Sequence, residues 1–252
     1  MSVRFETHGA VAVLGIDRPE RRNAVDRATA AALLEGWRRF EADPDLFVAV
    51  VTGTPVAFCA GADLKAFDSD ASLPGGPMGF TRLQAQKPCI AAIEGWCVAG
   101  GLEIALFCDL RVAGVSAQLG CLERRFGVPL IDGGTQRLPR IVGLGRALDL
   151  ILTGRLVSAA EAERIGLVDR VVPDGTSLAA AVTLAQEIAS FPRACVLADR
   201  SALYEGLGTT LADGLALEAR RGLDVLVEAR DGALRFAGGA GRHGAGKRSG
   251  DE

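Results

Sequence analysis

The sequence predicts an α/β fold that ends in a helical region, on three observations. Short β-like runs alternate with helix-period segments up to about residue 190, the pattern of an α/β core. Beyond that point only helical periodicity remains. The 252 residues are 49% hydrophobic and 23% charged, which allows a substantial core and is not the composition of a disordered chain. A core over residues 1–190 and a helical region with a flexible tail over 191–252 are therefore expected.

Val11–Ile16 reads as the first strand, closed by Asp17-Arg18-Pro19. Asp26 can cap a helix carrying Leu33, Leu34, Trp37 and Phe40, which ends near Asp43-Pro44. Phe47–Val51 is a second strand. Ala57–Lys65 is too small and Gly-containing for a regular core strand, and Ser69–Gly79 reads as a mobile Ser/Pro/Gly loop. Cys89–Ile93 and Leu110–Val115 are further strands. Gly127–Gly134 is a shaped loop. Helical patterns then cover Leu144–Leu152, Ala159–Ile165, Leu178–Ser190, Arg193–Tyr204 and Leu211–Arg230, interrupted by a strand at Leu167–Val172. Gly238–Glu252 reads as a frayed end.

A formal charge of −3 offers no electrostatic footprint for nucleic acid or an anionic membrane. The six cysteines form no CxxC pair and read as small buried hydrophobes in a reducing compartment. His8 and His243 lie near opposite ends, which leaves a His-based metal site or a Ser–His pair almost nothing to work with. The stretch Cys89–Cys108 approaches the length of a membrane span. It carries Glu94, Glu103 and three glycines, and reads better as a strand, a Gly turn and a helix. The N-terminus lacks an apolar signal core, so a cytoplasmic protein is expected.

Gly95–Asp109 (GWCVAGGLEIALFCD) is the stretch most suggestive of chemistry. Glycines ahead of a helix let its first, unpaired N–H groups meet a ligand oxygen that becomes negative. Glu103, in the expected first turn, could move protons beside it. The same residues also fit a helix packed closely on a strand, with Glu103 an ordinary acidic first-turn residue.

Ala57–Lys65 (AFCAGADLK), Val98–Glu103 (VAGGLE) and Ala117–Leu138 (AQLGCLERRFGVPLIDGGTQRL) together resemble the enoyl-CoA hydratase/isomerase, or crotonase, superfamily. The resemblance extends through GLGRALDLILTGR (143–155), AAEAERIGLVDRVVP (159–173), Arg18-Pro19 and Asn23-Ala24, nearly the whole chain. It implies a spiral of ββα units with a C-terminal helical oligomerisation region. It further implies backbone N–H groups of Ala62 and Gly100 as an oxyanion hole for a thioester carbonyl, and Glu103 and Glu123 as the carboxyls of a hydratase. Glu103 would activate water and Glu123 would deliver a proton. Arg22, Ala24, Ala60, Asp63 and Leu64 would surround the CoA moiety, with Arg18 and Arg21 as equally exposed alternatives to Arg22. Neither a metal nor a separate cofactor is implied, since coenzyme A is part of the substrate. The assembly would be a homotrimer or a pair of trimers.

Two departures stand out. Leu130-Ile131-Asp132-Gly133-Gly134-Thr135 replaces the Pro-Gly-small-Gly-Gly-Thr loop of many hydratases, bringing a third carboxylate, Asp132, close to the acyl pocket. The ending RFAGGAGRHGAGKR replaces their Lys-Arg-Lys-Pro-x-Phe tail. The first departure admits an enoyl- or dienoyl-CoA isomerase using Glu123 and Asp132. A non-catalytic acyl-CoA-binding relative is the rival of a different class.

Overall fold

The computed structural model describes residues 2–66 and 74–239. Strands β1 (Val3–His8) and β2 (Val11–Ile16) form an antiparallel hairpin that pairs Val3 with Ile16 and His8 with Val11. Next come α1 (Arg27–Ala42), β3 (Val48–Thr52), β4 (Ala57–Cys59), β5 (Cys89–Ile93), β6 (Trp96–Val98) and α2 (Gly100–Phe107). They are followed by β7 (Leu110–Gly114), β8 (Gln118–Gly120), α3 (Gly134–Val142) and α4 (Leu144–Thr153). Then come β9 (Val157–Ser158), α5 (Ala159–Arg164), β10 (Arg170–Val172) and α6 (Ser177–Ala189).

The strands repeat in pairs. A strand of the large sheet is followed at once by a short strand of a second sheet: β3 by β4, β5 by β6, β7 by β8. Stacking these pairs gives one sheet in the order β1-β2-β3-β5-β7-β10 and another in the order β4-β6-β8-β9. Beyond the first hairpin the large sheet is parallel, and its strands β2, β3 and β5 are buried along their whole length. Continuous apolar runs are what such two-sided burial demands. Gly95 makes the β5–β6 corner at φ 56°, where a Cβ would stand 2.0 Å from the Val56 carbonyl oxygen. No side chain fits there.

Asp26 caps α1 by accepting the Thr29 N–H at 2.8 Å. The helix buries Leu33, Leu34, Trp37 and Phe40. Trp37 stacks on Phe80 at 4.8 Å and meets Phe107 edge-on at 5.0 Å, an aromatic cluster at the centre of the core. α6 packs across β3, β5 and β7.

Of the described residues, 190–239 belong to a second unit. Within it, α7 (Arg193–Gly206) packs on α8 (Leu211–Asp224), with Arg221 paired to Glu205 at 2.7 Å, and α9 (Leu226–Ala237) follows. Leu203, Leu211, Leu215, Leu223 and Val227 are exposed.

Several expectations change. β1 is a strand that was not expected. Its alternation of Val3 and Phe5 with Arg4 and Glu6 is the signature of an edge strand with one wet face. Ala57–Cys59 is a strand after all, of three residues in the second sheet. α3 forms despite Pro139, which removes one helical bond close to the helix end. The expected helix 211–230 breaks at Val225, and the strand expected at 167–172 is confined to Arg170–Val172 because Leu167 and Val168 close α5 through the Ala162 carbonyl. Five cysteines are buried, but Cys195 is exposed on α7. Of the expected loop Ser69–Gly79, residues 74–79 are turns and 69–73 lie outside the described residues, as do 240–252 of the expected frayed end. Among the described residues, no helix is long and apolar enough to cross a membrane.

Candidate active site

A cavity of about 400 Å³ opens in the first unit where the β4 and β6 ends meet the start of α2. Its lining is mainly apolar, including Met78, Val98, Leu122 and Val128, and carries the carboxylates Glu103, Glu123 and Asp132, with Asp26 and Asp63 also among its lining residues.

Gly61 sits at φ 91°, and a Cβ there would lie 2.8 Å from the Ala99 Cβ and 2.9 Å from the Gly100 nitrogen. The Ala60–Ala62 turn can therefore lie against the start of α2 only because residue 61 has no side chain. Ala99, the N-cap of α2, has φ 53° and ψ −130°, a strained region for a residue with a Cβ. Its carbonyl takes the N–H groups of Leu102 and Glu103. Among the described residues, the N–H groups of Gly100 and Ala62 have no hydrogen-bond partner, and both residues line the cavity. A Cβ on Gly100 would meet the Met78 Sδ at 2.6 Å, so the cavity wall is packed against this position.

Glu103 projects from the first turn of α2 and is 3% exposed. Its Oε1 accepts the backbone N–H groups of Gly134 at 2.7 Å and Asp132 at 2.9 Å. Burial pushes its carboxyl up to about 7, aided by the charges of Asp132 and Glu123 and opposed by the two N–H donors. Glu123 stands on a 3₁₀ turn, Leu122–Phe126, closed by Gly127 in the left-handed conformation. Among the described residues neither of its carboxylate oxygens has a hydrogen-bond partner. Burial raises its proton affinity, offset in part by its own N–H dipole and Arg124. Asp132 is 2% exposed, and its Oδ1 accepts the Met78 N–H at 3.1 Å and the Thr81 hydroxyl. Burial raises its affinity too, against Thr81, Met78, Arg82 and Arg137. Three carboxyls thus share one poorly solvated space, and each favours its protonated form more than it would in water.

Ala60, Asp63 and Leu64 line the same cavity. The Asp63 side chain is committed: it pairs with Arg18 at 3.2 Å and accepts the Lys65 N–H at 3.1 Å. Arg18 also pairs with Asp26 at 2.9 Å and donates to the Ala24 carbonyl at 2.5 Å, so it is a partly buried tether and not the exposed candidate expected. Arg22 and Ala24 lie outside the lining. Arg22 is exposed at φ 51°, and its carbonyl accepts the Ala60 N–H at 3.1 Å. Sequence reasoning missed Met78 and Thr81. Met78 falls in the Ser69–Gly79 stretch that reads only as loop, Thr81 lies just beyond it, and no local pattern shows either residue folding over a helix start. Among the described residues no cluster of His, Cys, Asp and Glu is arranged to hold a metal ion.

Fold and cavity define an α/β spiral enclosing an acyl-sized, carboxyl-lined site. Residues 6–237 match the family model described as enoyl-CoA hydratase/isomerase, and the chain belongs to that family. It is 40% identical over 220 residues to a Rhizobium meliloti protein named a probable enoyl-CoA hydratase, covering 85% of this chain and 86% of that one. It is 38% identical over 222 residues to the (E)-benzylidenesuccinyl-CoA hydratase of Thauera aromatica, covering 85% and 87%. Among solved structures, enoyl-CoA hydratase EchA1 from Mycobacterium marinum superposes with a TM-score of 0.89 at 35% identity, covering 94% of this chain and 95% of that one. The crotonase fold expected from the sequence is the fold of this chain.

Proposed function

We propose that this protein is an enoyl-CoA hydratase that adds water across the 2,3-double bond of a trans-2-enoyl-CoA to give a 3-hydroxyacyl-CoA. The observation that carries the reading is the pair of buried carboxyls, Glu103 and Glu123, lining one apolar cavity with the unpaired N–H groups of Ala62 and Gly100. In this reading those N–H groups hold the thioester carbonyl. Ionised Glu103 takes a proton from water as the water oxygen bonds to C3, and the π electrons move onto the thioester oxygen. The enolate then collapses, and C2 takes the proton of Glu123. Proton return from Glu103 to Glu123 through solvent closes the cycle. Each oxyanion donor is worth about 3 kcal/mol of transition-state stabilisation, and each proton transfer about 10²–10⁴-fold in rate.

No step calls for a metal or a redox cofactor, and coenzyme A enters as part of the substrate. Ala60, Asp63 and Leu64 would flank the CoA arm, with Arg22 and Ala24 behind them. The exposed apolar residues of α7–α9 support a homotrimer or a pair of trimers, which light scattering checks; a monomer at micromolar concentration contradicts it. Free cysteines fit a cytoplasmic setting. Asp132 lines the same cavity, and that observation supports a second reading, an enoyl- or dienoyl-CoA isomerase using Glu123 and Asp132. Incubation of crotonyl-CoA in ¹⁸O-labelled water separates them. A hydratase places the label at C3, whereas an isomerase leaves the product unlabelled.

A further inference from the structure

Asp132 ties two stretches of chain to Glu103. On one side, its Oδ1 accepts the Thr81 hydroxyl and the Met78 N–H. On the other, its backbone N–H donates to Glu103 Oε1 at 2.9 Å, beside that of Gly134 at 2.7 Å. Arg137 closes the clasp, donating to the Asp132 carbonyl at 2.9 Å and to the Thr81 carbonyl at 2.6 Å, and Arg82 donates to the Ile131 carbonyl at 2.8 Å. Thr81 is fully buried and, unlike Asp132, does not line the cavity.

We propose that Thr81 is a positioning residue for the reaction, acting through Asp132 to fix the loop whose N–H groups orient the Glu103 carboxylate. The inference rests on the hydratase reading for what Glu103 does. With Oε1 engaged by two N–H groups, Oε2 is the oxygen left for water, and the direction it faces depends on where the loop stands. The loop in turn is held by a buried carboxylate that loses a donor when the Thr81 hydroxyl is removed, and buried polar groups tolerate such losses poorly. A displacement of about 1 Å at a reacting group can lower a rate by about 10²-fold.

The test compares Thr81→Val, which keeps the shape and removes the hydroxyl, with Thr81→Ser, which keeps the hydroxyl. Two readouts are needed: hydration of crotonyl-CoA, and amide hydrogen exchange across residues 130–135 by mass spectrometry. The expected result for Thr81→Val is a fall in kcat of about ten- to a hundredfold at nearly unchanged KM, with faster exchange in that segment. Thr81→Ser restores both. Thr81→Ala removes the same hydroxyl with less bulk and replaces Thr81→Val if the latter does not fold. Unchanged kcat, or unchanged exchange, in a folded variant lacking the hydroxyl overturns the proposal. If the wild type hydrates no enoyl-CoA, the functional reading fails. The exchange measurement then decides the clasp alone: faster exchange reversed by Ser supports it, and unchanged exchange overturns it.

Discussion

Gly134 donates its backbone N–H to Glu103 Oε1 at 2.7 Å, joining the first turn of α3 to the first turn of α2. A Cβ on Gly134 would stand 3.0 Å from that same oxygen. The glycine thus serves as a donor at a distance that leaves little room for a side chain. Bonds of this kind favour the carboxylate, yet burial outweighs them and the Glu103 carboxyl stays near 7.

That balance has a consequence for stability. Glu103 has a folded value of about 7 against an ordinary 4.5, so between those values the folded protein binds more protons than the unfolded chain. Its contribution is favourable below about pH 4.5 and is lost as pH rises to 7, on the order of 3 kcal/mol. Glu123 and Asp132 are raised as well and act in the same direction. Glu103→Gln should therefore melt at a higher temperature than wild type at pH 8, with the difference shrinking towards pH 5. Melting curves across that range check the sign, and a less stable variant at pH 8 refutes it.

At Gly100, crowding and donation can be separated. Gly100→Ala keeps the N–H, but its Cβ meets the flexible end of Met78, with Sδ at 2.6 Å. We expect a loss of tenfold or less, about what a small shift of that side chain would cause. Gly100→Pro meets the same atom and also removes the donor, and turnover should fall by about 10²-fold or more. Proline is tolerated in a first helical turn, so circular dichroism should show a folded protein. Similar rates for the two variants would exclude Gly100 as an oxyanion donor.

Ala99 holds φ 53° and ψ −130° at the start of α2, a conformation that suits glycine. Ala99→Gly should relieve strain of about 1–3 kcal/mol and return part of it to unfolded-chain entropy, for a net gain of about 1 kcal/mol. Ala99→Val should lose stability. Denaturant unfolding of both variants measures the difference, and a destabilised glycine variant would show that the Ala99 Cβ contributes packing that outweighs the strain.

How much of this was legible in the sequence differs by scale. Strands β2, β3, β5 and β7 of the large sheet and the cap at Asp26 are readable because burial leaves apolar runs and a cap leaves a local signature, whereas β1, with one wet face, is not. Nor is the second sheet. Its strands β4, β6, β8 and β9 are two or three residues long, too short to show a period, and they exist only because the longer strands stack. At the site, Glu103 and Glu123 were visible from their motifs, and the cavity brings them together. Arg18 was read as exposed because nothing local shows that Asp26 and Asp63 converge on it. Thr81 carries no signal, since its partner is fifty-one positions away at Asp132.

Asp132 separates the two reactions. Its Oδ1 is occupied by Met78 and Thr81, so Asp132→Asn can keep both bonds. Hydration of crotonyl-CoA by that variant should fall by less than about tenfold, whereas loss of a group that moves a proton lowers rates by about 10²-fold or more. A crippled Asp132→Asn on a 3-enoyl-CoA, beside an active Glu103→Gln, would transfer the proton-moving role to Asp132.

The central claim is tested most directly by following the loss of enone absorbance when crotonyl-CoA is mixed with wild type, Glu103→Gln and Glu123→Gln. The account predicts rapid loss with wild type and a fall of about 10²-fold or more for each variant, all three proteins being folded. A folded wild type that leaves the absorbance unchanged, or a glutamine variant at either position that retains near-normal rates, contradicts it.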